Sequence, residues 1–342
     1  MADRSHAPLS SLLGKVLMAV AVTLLVAAAL AALQYARFEK TPLNIPGEIR
    51  FVVRKGASVR AVIAALEDQG MTRADWRWRL LTHLNPSTAR AGEYALKAGM
   101  TPADVLSLFA SGDVIKYHFT VIEGWNFREL RQALAADPVL EGSLAGEDGI
   151  ARLMASLGED VTHPEGWFLP ETYQFVRGDS DFDILLRAHR AMREALDQAW
   201  QERSDGLPLK GPYELLILAS IVEKESGLES ERADIAGVFI RRLQQRWRLE
   251  TDPTVIYGLG ENFDGDIRRR DLDSDTPYNT YIRYGLPPTP IAMPGVSALR
   301  AAAKPAPGSA MFFVASGTGG HVFSDTLEEH NRAVREMLKR TP

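Results

Sequence analysis

The chain has 342 residues, 46% hydrophobic and 24% charged, a folded-protein composition long enough for two or three domains and unlike that of a disordered or collagen-like chain. It contains no cysteine, which excludes disulfides, thiolate nucleophiles and cysteine-ligated zinc or iron–sulfur centres. Its 39 basic and 44 acidic residues give a net charge of −5, so no overall basic field speaks for nucleic acid, and chemistry must rest on carboxylates, histidines, hydroxyls or backbone groups.

From Val16 to Leu33 the only polar residue is Thr23. Such a run is long enough to cross roughly 30 Å of hydrocarbon as a helix. It predicts a single transmembrane anchor over 16–35, preceded by a cytoplasmic tail of residues 1–15. The competing reading is a cleaved secretory signal ending at Ala29-Leu30-Ala31, although signal apolar regions usually run to about 7–15 residues. Arg4 and Lys15 before the run balance Arg37 and Lys40 after it, so flanking charge does not orient the helix. Either reading implies export of the rest of the chain. Residues 36–47, with TPLNIPG at Thr41–Gly47, read as a linker.

Residues 48–113 read as a small α+β module. A strand is expected over Ile49–Val53, then a helix capped by Ser58, carrying Val59, Val62, Ile63 and Leu66 and closed by Gly70. Arg73–Leu84 repeats the helical spacing with Trp76, Leu80 and Leu84. AGEYAL is a second strand. Thr101-Pro102 opens a helix with Val105, Leu106 and Phe109 that Gly112 ends. A strand over roughly Val114–Ile122 comes next, then helices near Phe127–Ala135, Ile150–Leu157 and Phe182–Arg203. The segment His163–Phe175 is dense in aromatics and prolines, with acids at Glu165 and Glu171. Leu249–Gly308 holds eight of the nineteen prolines but few helical periodicities, and a long ordered loop system of this kind is usually functional.

Lys210–Gly227 (KGPYELLILASIVEKESG) carries the most chemistry. Gly211-Pro212 opens a helix and Gly227 stands where it would close. Leu215, Leu216, Ile217, Leu218, Ala219, Ile221 and Val222 leave almost no polar face, the pattern of a buried helix. Glu223 and Glu225 sit on its last turn about 200° apart, so they cannot form a dyad with each other. A carboxyl held against apolar walls stays protonated to higher pH, as a general acid for glycosidic cleavage requires. The plain alternative is two solvated acids, or ion pairs with Arg232 or Arg241.

ASIVEKES, RLETDPTVIYG (Arg248–Gly258), PYNTY (Pro277–Tyr281), GLPPTPI (Gly285–Ile291), MPG (Met293–Gly295) and GGHVFSDTLEEHN (Gly319–Asn331) occur together and in order, with EGWFLPETY (Glu165–Tyr173) ahead of them. In this the chain strongly resembles the MltG/YceG-like family of endolytic peptidoglycan transglycosylases, from the anchor to the C-terminus. The resemblance implies a LysM-like α+β module at 48–113 and a larger mixed α+β catalytic domain with long ordered loops at 114–342. It implies a single-pass inner-membrane protein whose catalytic domain faces the periplasm. It also implies endolytic cleavage of MurNAc–GlcNAc bonds in nascent strands, leaving 1,6-anhydro ends and terminating elongation. The catalytic carboxyl falls on Glu225, with Glu223 as a supporting acid and no metal or cofactor. Glu171, Asp252, Tyr257, Tyr278, Asn279, Tyr281 and His321 are candidate substrate-binding residues. The tyrosines and Asn279 serve either to meet sugars or to hold irregular loops together. Asp252 precedes a proline as a turn residue or a cleft acid. His330, Trp167 and Phe168 are expected to be structural. Thr289 and Met293 depart from the usual glycine and asparagine of the family motifs. The partners implied are peptidoglycan strands, the membrane, and penicillin-binding proteins or other wall-synthesis enzymes. No H-E-x-x-H, G-x-S-x-G, S-x-x-K or P-loop motif is present. The rival readings are a non-catalytic wall-binding scaffold and a hydrolytic muramidase.

Overall fold

The computed structural model describes residues 9–144, 146–158, 163–317 and 319–340, so the first eight residues of the expected tail lie outside it. The fold is mixed α+β, and the described chain divides into two compact units. One runs up to Lys116 and takes in Val176–Gly178; the other comprises Tyr117–Phe175 and the residues from Asp179 onward.

The first unit begins with helix α1 (Leu9–Lys40). Its stretch Leu13–Lys40 is long and apolar enough to cross a membrane. Leu13, Leu17, Leu24, Leu25 and Leu30 stand exposed along it. The expected linker is largely absent: α1 continues through Lys40, Phe38, Leu43 and Ile45 are buried, and Leu43 N donates to Met100 O at 2.8 Å. Apolar side chains at these positions have a core to enter, and so the segment packs.

Next come β1 (Glu48–Val53), α2 (Val59–Asp68), α3 (Trp76–Leu84), β2 (Gly92–Lys97) and α4 (Pro102–Ser111). β1 pairs antiparallel with β2, with Glu48 opposite Lys97 and Val53 opposite Gly92. Ser58 accepts from Ala61 N, and Thr101 with Asp104 forms a capping box, satisfying amide groups that a helix start leaves unpaired. Gly112 ends α4 in the left-handed conformation. α3 starts later than the apolar spacing suggests because the Asp75 side chain caps it by accepting from Arg77 N. The helices and the two-stranded sheet enclose Phe51, Leu66, Trp78, Leu81, Tyr94, Leu96 and Phe109.

In the second unit, apart from their end residues Lys116 and Val176, β3 (Lys116–Thr120) pairs with β4 (Thr172–Val176), and α5 (Phe127–Ala136) and α6 (Gly146–Leu157) lie between them in sequence. α7 (Asp181–Gln201), α8 (Pro212–Glu225), α9 (Arg232–Gln244), α10 (Asp252–Leu259), α11 (Arg269–Leu272) and α12 (Val296–Ala303) come after them. The hairpin β5 (Phe312–Ala315) and β6 (His321–Ser324) precedes α13 (Leu327–Arg340). α7, α9, α10 and α12 all pack on α8, which buries every residue from Leu215 to Glu223. Enclosing a leucine or isoleucine contributes about 1.5–3 kcal/mol, so this helix fixes the unit around itself. The proline-rich stretch is more helical than its pattern suggests. α12, packed among α7, α8 and α9, buries Leu299 with the small residues Ala298, Ala301, Ala302 and Ala303, which present no conspicuous apolar stripe. α8 ends where Ser226 turns extended, at φ −137° and ψ 127°, without a left-handed Gly227.

Candidate active site

The two acids on the last turn of α8 meet opposite surroundings, as their spacing demands. Glu223 is buried. Its Oε1 accepts from Arg232 Nη2 at 2.7 Å and its Oε2 from Gly295 N at 2.9 Å, and Arg232 also reaches Glu123 at 3.3 Å. Burial pushes the Glu223 carboxyl up, against the pull of these partners. Its contacts tie α8 to α9 and to the start of α12.

Glu225 keeps an exposed edge and lines a cavity of about 510 Å³ with Ser226, Leu228, Gly319, Gly320 and His321. The Thr251 hydroxyl donates to its Oε1. Desolvation pushes its carboxyl up to about 7, and the charge of Asp252 pushes the same way, whereas Thr251, His321 and Arg242 oppose. Both protonation states of Glu225 are therefore populated near neutral pH.

Thr251 is itself held fast. Its amide donates to Thr280 Oγ1 at 3.1 Å, its carbonyl accepts from Thr254 Oγ1 at 2.7 Å, and the Thr254 and Thr280 hydroxyls lie 2.8 Å apart. All three threonines are buried. Asp252, at the start of α10, accepts from Tyr281 OH at 2.6 Å. Burial and that carboxylate raise the Tyr281 phenol. Arg242 crosses behind the site, donating to Leu249 O at 2.6 Å and Met311 O at 2.9 Å. His321 Nδ1 lies 2.8 Å from Glu231 Oε2, and its amide donates to Glu231 Oε1 at 2.9 Å. Gly320 makes that approach possible, since a Cβ there would come within 2.5 Å of Glu231 Oε1. Donation from His321 Nδ1 leaves Nε2 free to serve the cavity. Arg246 and Glu250, on the segment leading to Thr251, are the two non-glycine residues with positive φ among the described residues, at 56° and 49°.

Of the candidates named from sequence, Glu225, Asp252, Tyr281 and His321 gather here. Asn279 sits behind them: its Nδ2 donates to the carbonyls of Asp271, Leu272 and Ser274 and its Oδ1 accepts from Tyr281 N, which makes it a loop clamp. Tyr257 and Tyr278 belong to another cluster. Tyr257 OH donates to Glu165 Oε2 at 2.9 Å, the two tyrosine rings meet edge to face at 4.8 Å, and Tyr278 OH lies 2.9 Å from Thr289 Oγ1. Glu165 is buried, accepts from Phe127 N at the start of α5, and is pushed by burial up to about 7. Thr289, the departure from glycine, thus supplies a partner for a phenol. Glu171 is exposed just before β4, and no contact joins it to Glu225 among the described residues. Sequence reasoning missed Thr251, Arg242 and Glu231. Thr251 stands next to Asp252 in the RLETDPTVIYG motif, but a threonine before Asp-Pro gives no hint of its partner 26 residues earlier. No group of three histidine or acidic side chains placed to hold a metal ion occurs among the described residues.

The arrangement can donate a proton from a desolvated carboxyl into an open cavity and take one back, with a histidine and an acid at hand. Comparison with known proteins points the same way. An endolytic murein transglycosylase of Bacillus subtilis is 29% identical over 87% of this chain and 86% of its own length. One from Streptococcus pneumoniae is 26% identical over 84% of this chain, which spans 58% of that longer protein. The crystal structure of a YceG-like protein from Listeria monocytogenes superposes with a TM-score of 0.54 at 29% identity, covering 83% of this chain and 98% of that one. Residues 51–336 match the YceG-like family, and the chain belongs to it.

Proposed function

We propose that this protein is an endolytic murein transglycosylase, cutting the MurNAc–GlcNAc bond within nascent peptidoglycan strands. The observation that carries the reading is the Glu225 carboxyl, desolvated to a value near 7, bonded at one oxygen by Thr251 and lining an open cavity. Protonated Glu225 donates to the leaving glycosidic oxygen, which departs with the electron pair of the C1–O bond. The substrate's N-acetyl carbonyl stabilises positive charge at C1. The resulting Glu225 carboxylate then takes the proton of the 6-hydroxyl as O6 bonds to C1, closing the 1,6-anhydro ring. Intramolecular attack supplies its own proximity, so one acid serves both steps. Hydrolysis would need a second carboxylate to activate water or attack C1. The acid whose charge acts on Glu225, Asp252, is engaged by Tyr281. Support for the substrate comes from the names of the relatives.

In this reading α1 anchors the chain in the inner membrane and the rest faces the periplasm, 48–113 serves as a LysM-like wall-binding module, and penicillin-binding proteins are the favoured partners. Glycan digests of wild type and Glu225→Gln, analysed by mass, test the chemistry. Anhydro ends, one water lighter than reducing ends, are expected from wild type and none from the variant. Reducing ends from wild type would make the protein a muramidase, and cleavage by a folded Glu225→Gln would move the acid elsewhere.

A further inference from the structure

The second unit carries another cleft, of about 510 Å³, lined by Leu243, Arg246, Trp247, Tyr284 and Gly285. Trp247 and Tyr284 are exposed aromatics there, at 43% and 65%. Trp247 is fixed by its amide, which donates to Arg242 O at 2.8 Å, and by an edge contact of its ring with Phe312 at 5.9 Å. The Arg248 guanidinium lies 5.1 Å from the centre of the Tyr284 ring and donates to Tyr281 O at 3.0 Å. No acid lines the cleft, and Arg246 has no ion-pair partner among the described residues. An exposed indole and an exposed phenol ring with an unpaired guanidinium at the lip suit a ligand with apolar C–H faces and a carboxylate.

Both walls are joined to the catalytic cavity by very short chain. Trp247 is four residues from Thr251, whose hydroxyl bonds Glu225, so their Cα atoms are at most about 14 Å apart. Tyr284 is three residues from Tyr281, which holds Asp252. The left-handed backbone at Arg246 and Glu250 brackets the connecting segment. Strain of this kind persists where the surrounding structure over-determines it, and it concentrates at binding and catalytic sites.

We infer that the Trp247–Tyr284 cleft is a distal subsite for the same glycan strand, stacking sugar rings several units from the cleaved bond and receiving a stem-peptide carboxylate at Arg246. This rests on the transglycosylase reading for the identity of the strand. It accounts for cutting inside strands, since grip away from the scissile bond favours long substrates over ends.

The test is the affinity of the full-length Glu225→Gln chain, in detergent, for long uncross-linked strands, either bearing stem peptides or stripped of them. Adding Trp247→Ala or Tyr284→Ala should raise Kd roughly tenfold on both strands, while Trp247→Phe keeps the platform and stays within about threefold of the parent. Arg246→Ala should weaken binding only to stem-bearing strands. Parent-like binding by both aromatic-to-alanine variants overturns the subsite, as does a loss in Trp247→Ala that comes with unfolding and spares Tyr284→Ala. Wild type that makes no anhydro ends while the Glu225→Gln series binds as described would refute the reaction and leave the subsite standing. A parent chain that binds no strand overturns both.

Discussion

Glu223 and Glu225 share a helical turn and nearly the same neighbours in sequence, yet one is paired with arginine and the other with a threonine hydroxyl in an open cavity. Thr251 engages Oε1 only, which leaves Oε2 as the oxygen that exchanges protons with a bound substrate. A hydrogen bond of this kind favours the carboxylate, so Thr251→Val should move Glu225 above its present value near 7. The alkaline limb of the pH–kcat profile should then rise by about one unit, consistent with a hydrogen bond of about 1–1.5 kcal/mol, and Thr251→Ser should restore it. A fall in kcat with an unmoved profile would make Thr251 a packing residue. The same carboxyl has a cost in stability. A folded value near 7 against an unfolded one near 4.5 means that the proton bound by the native state stabilises it below about pH 4.5, and that this contribution is lost as pH rises to about 7. Glu225→Gln should therefore be more stable than wild type at pH 8, by on the order of 2–3 kcal/mol, and about equal to it at pH 4.5 in denaturant titrations. Equal stabilities at both values would contradict the burial described for this group.

At the scale of elements, α8 could be read directly because a helix apolar on every side has only one place to go. Its terminal acids could be separated by angle alone. The pairing with Arg232, nine residues on, was among the sequence alternatives and holds for Glu223, but Gly295 and Thr251 could not be read, because they arrive at the starts of α12 and α10 across long stretches of chain. α12 escaped notice because alanines pack by smallness, and smallness leaves no periodic signal. Breaking the buried Glu223–Arg232 pair from one side leaves the buried guanidinium to the half-exposed Glu123 alone, so Glu223→Ala should destabilise by about 3 kcal/mol in urea melts. Cleavage per folded molecule should fall too, because the pair fixes the same helical turn that carries Glu225. Gly166 offers a check on the packing around Glu165. It holds φ 83°, and a Cβ there would come within 2.5 Å of Pro290, so Gly166→Ala should lower Tm by several degrees. An unchanged Tm would mean that the loop carrying Pro290 yields freely.

Across the whole molecule, the sequence pattern anticipated the strand and helix order of the first unit because each helix start carries its own capping side chain. It misjudged the passage out of the apolar helix, since proline-rich segments resemble linkers whether or not their leucines find a core. Phe38 shows the consequence: its ring meets Trp78 at 5.4 Å, edge to face, with the Arg77 guanidinium 4.9 Å from its centre. Removing residues 1–33 should give a chain that stays in solution without detergent and unfolds as the full-length protein does. Removing 1–40 deletes Phe38 as well, and its first unit should lose about 3–5 kcal/mol in denaturant titrations. Equal stability of the two truncations would mean that this end of α1 only rests on the fold. A continuous helix that passes from its apolar stretch straight into a packed core also has no slack. At about 1.5 Å per residue, the seven residues after Leu33 give only about 10 Å of rise. In the membrane-anchored reading proposed above, so short and stiff a post holds the first unit at a fixed height above the lipid headgroups.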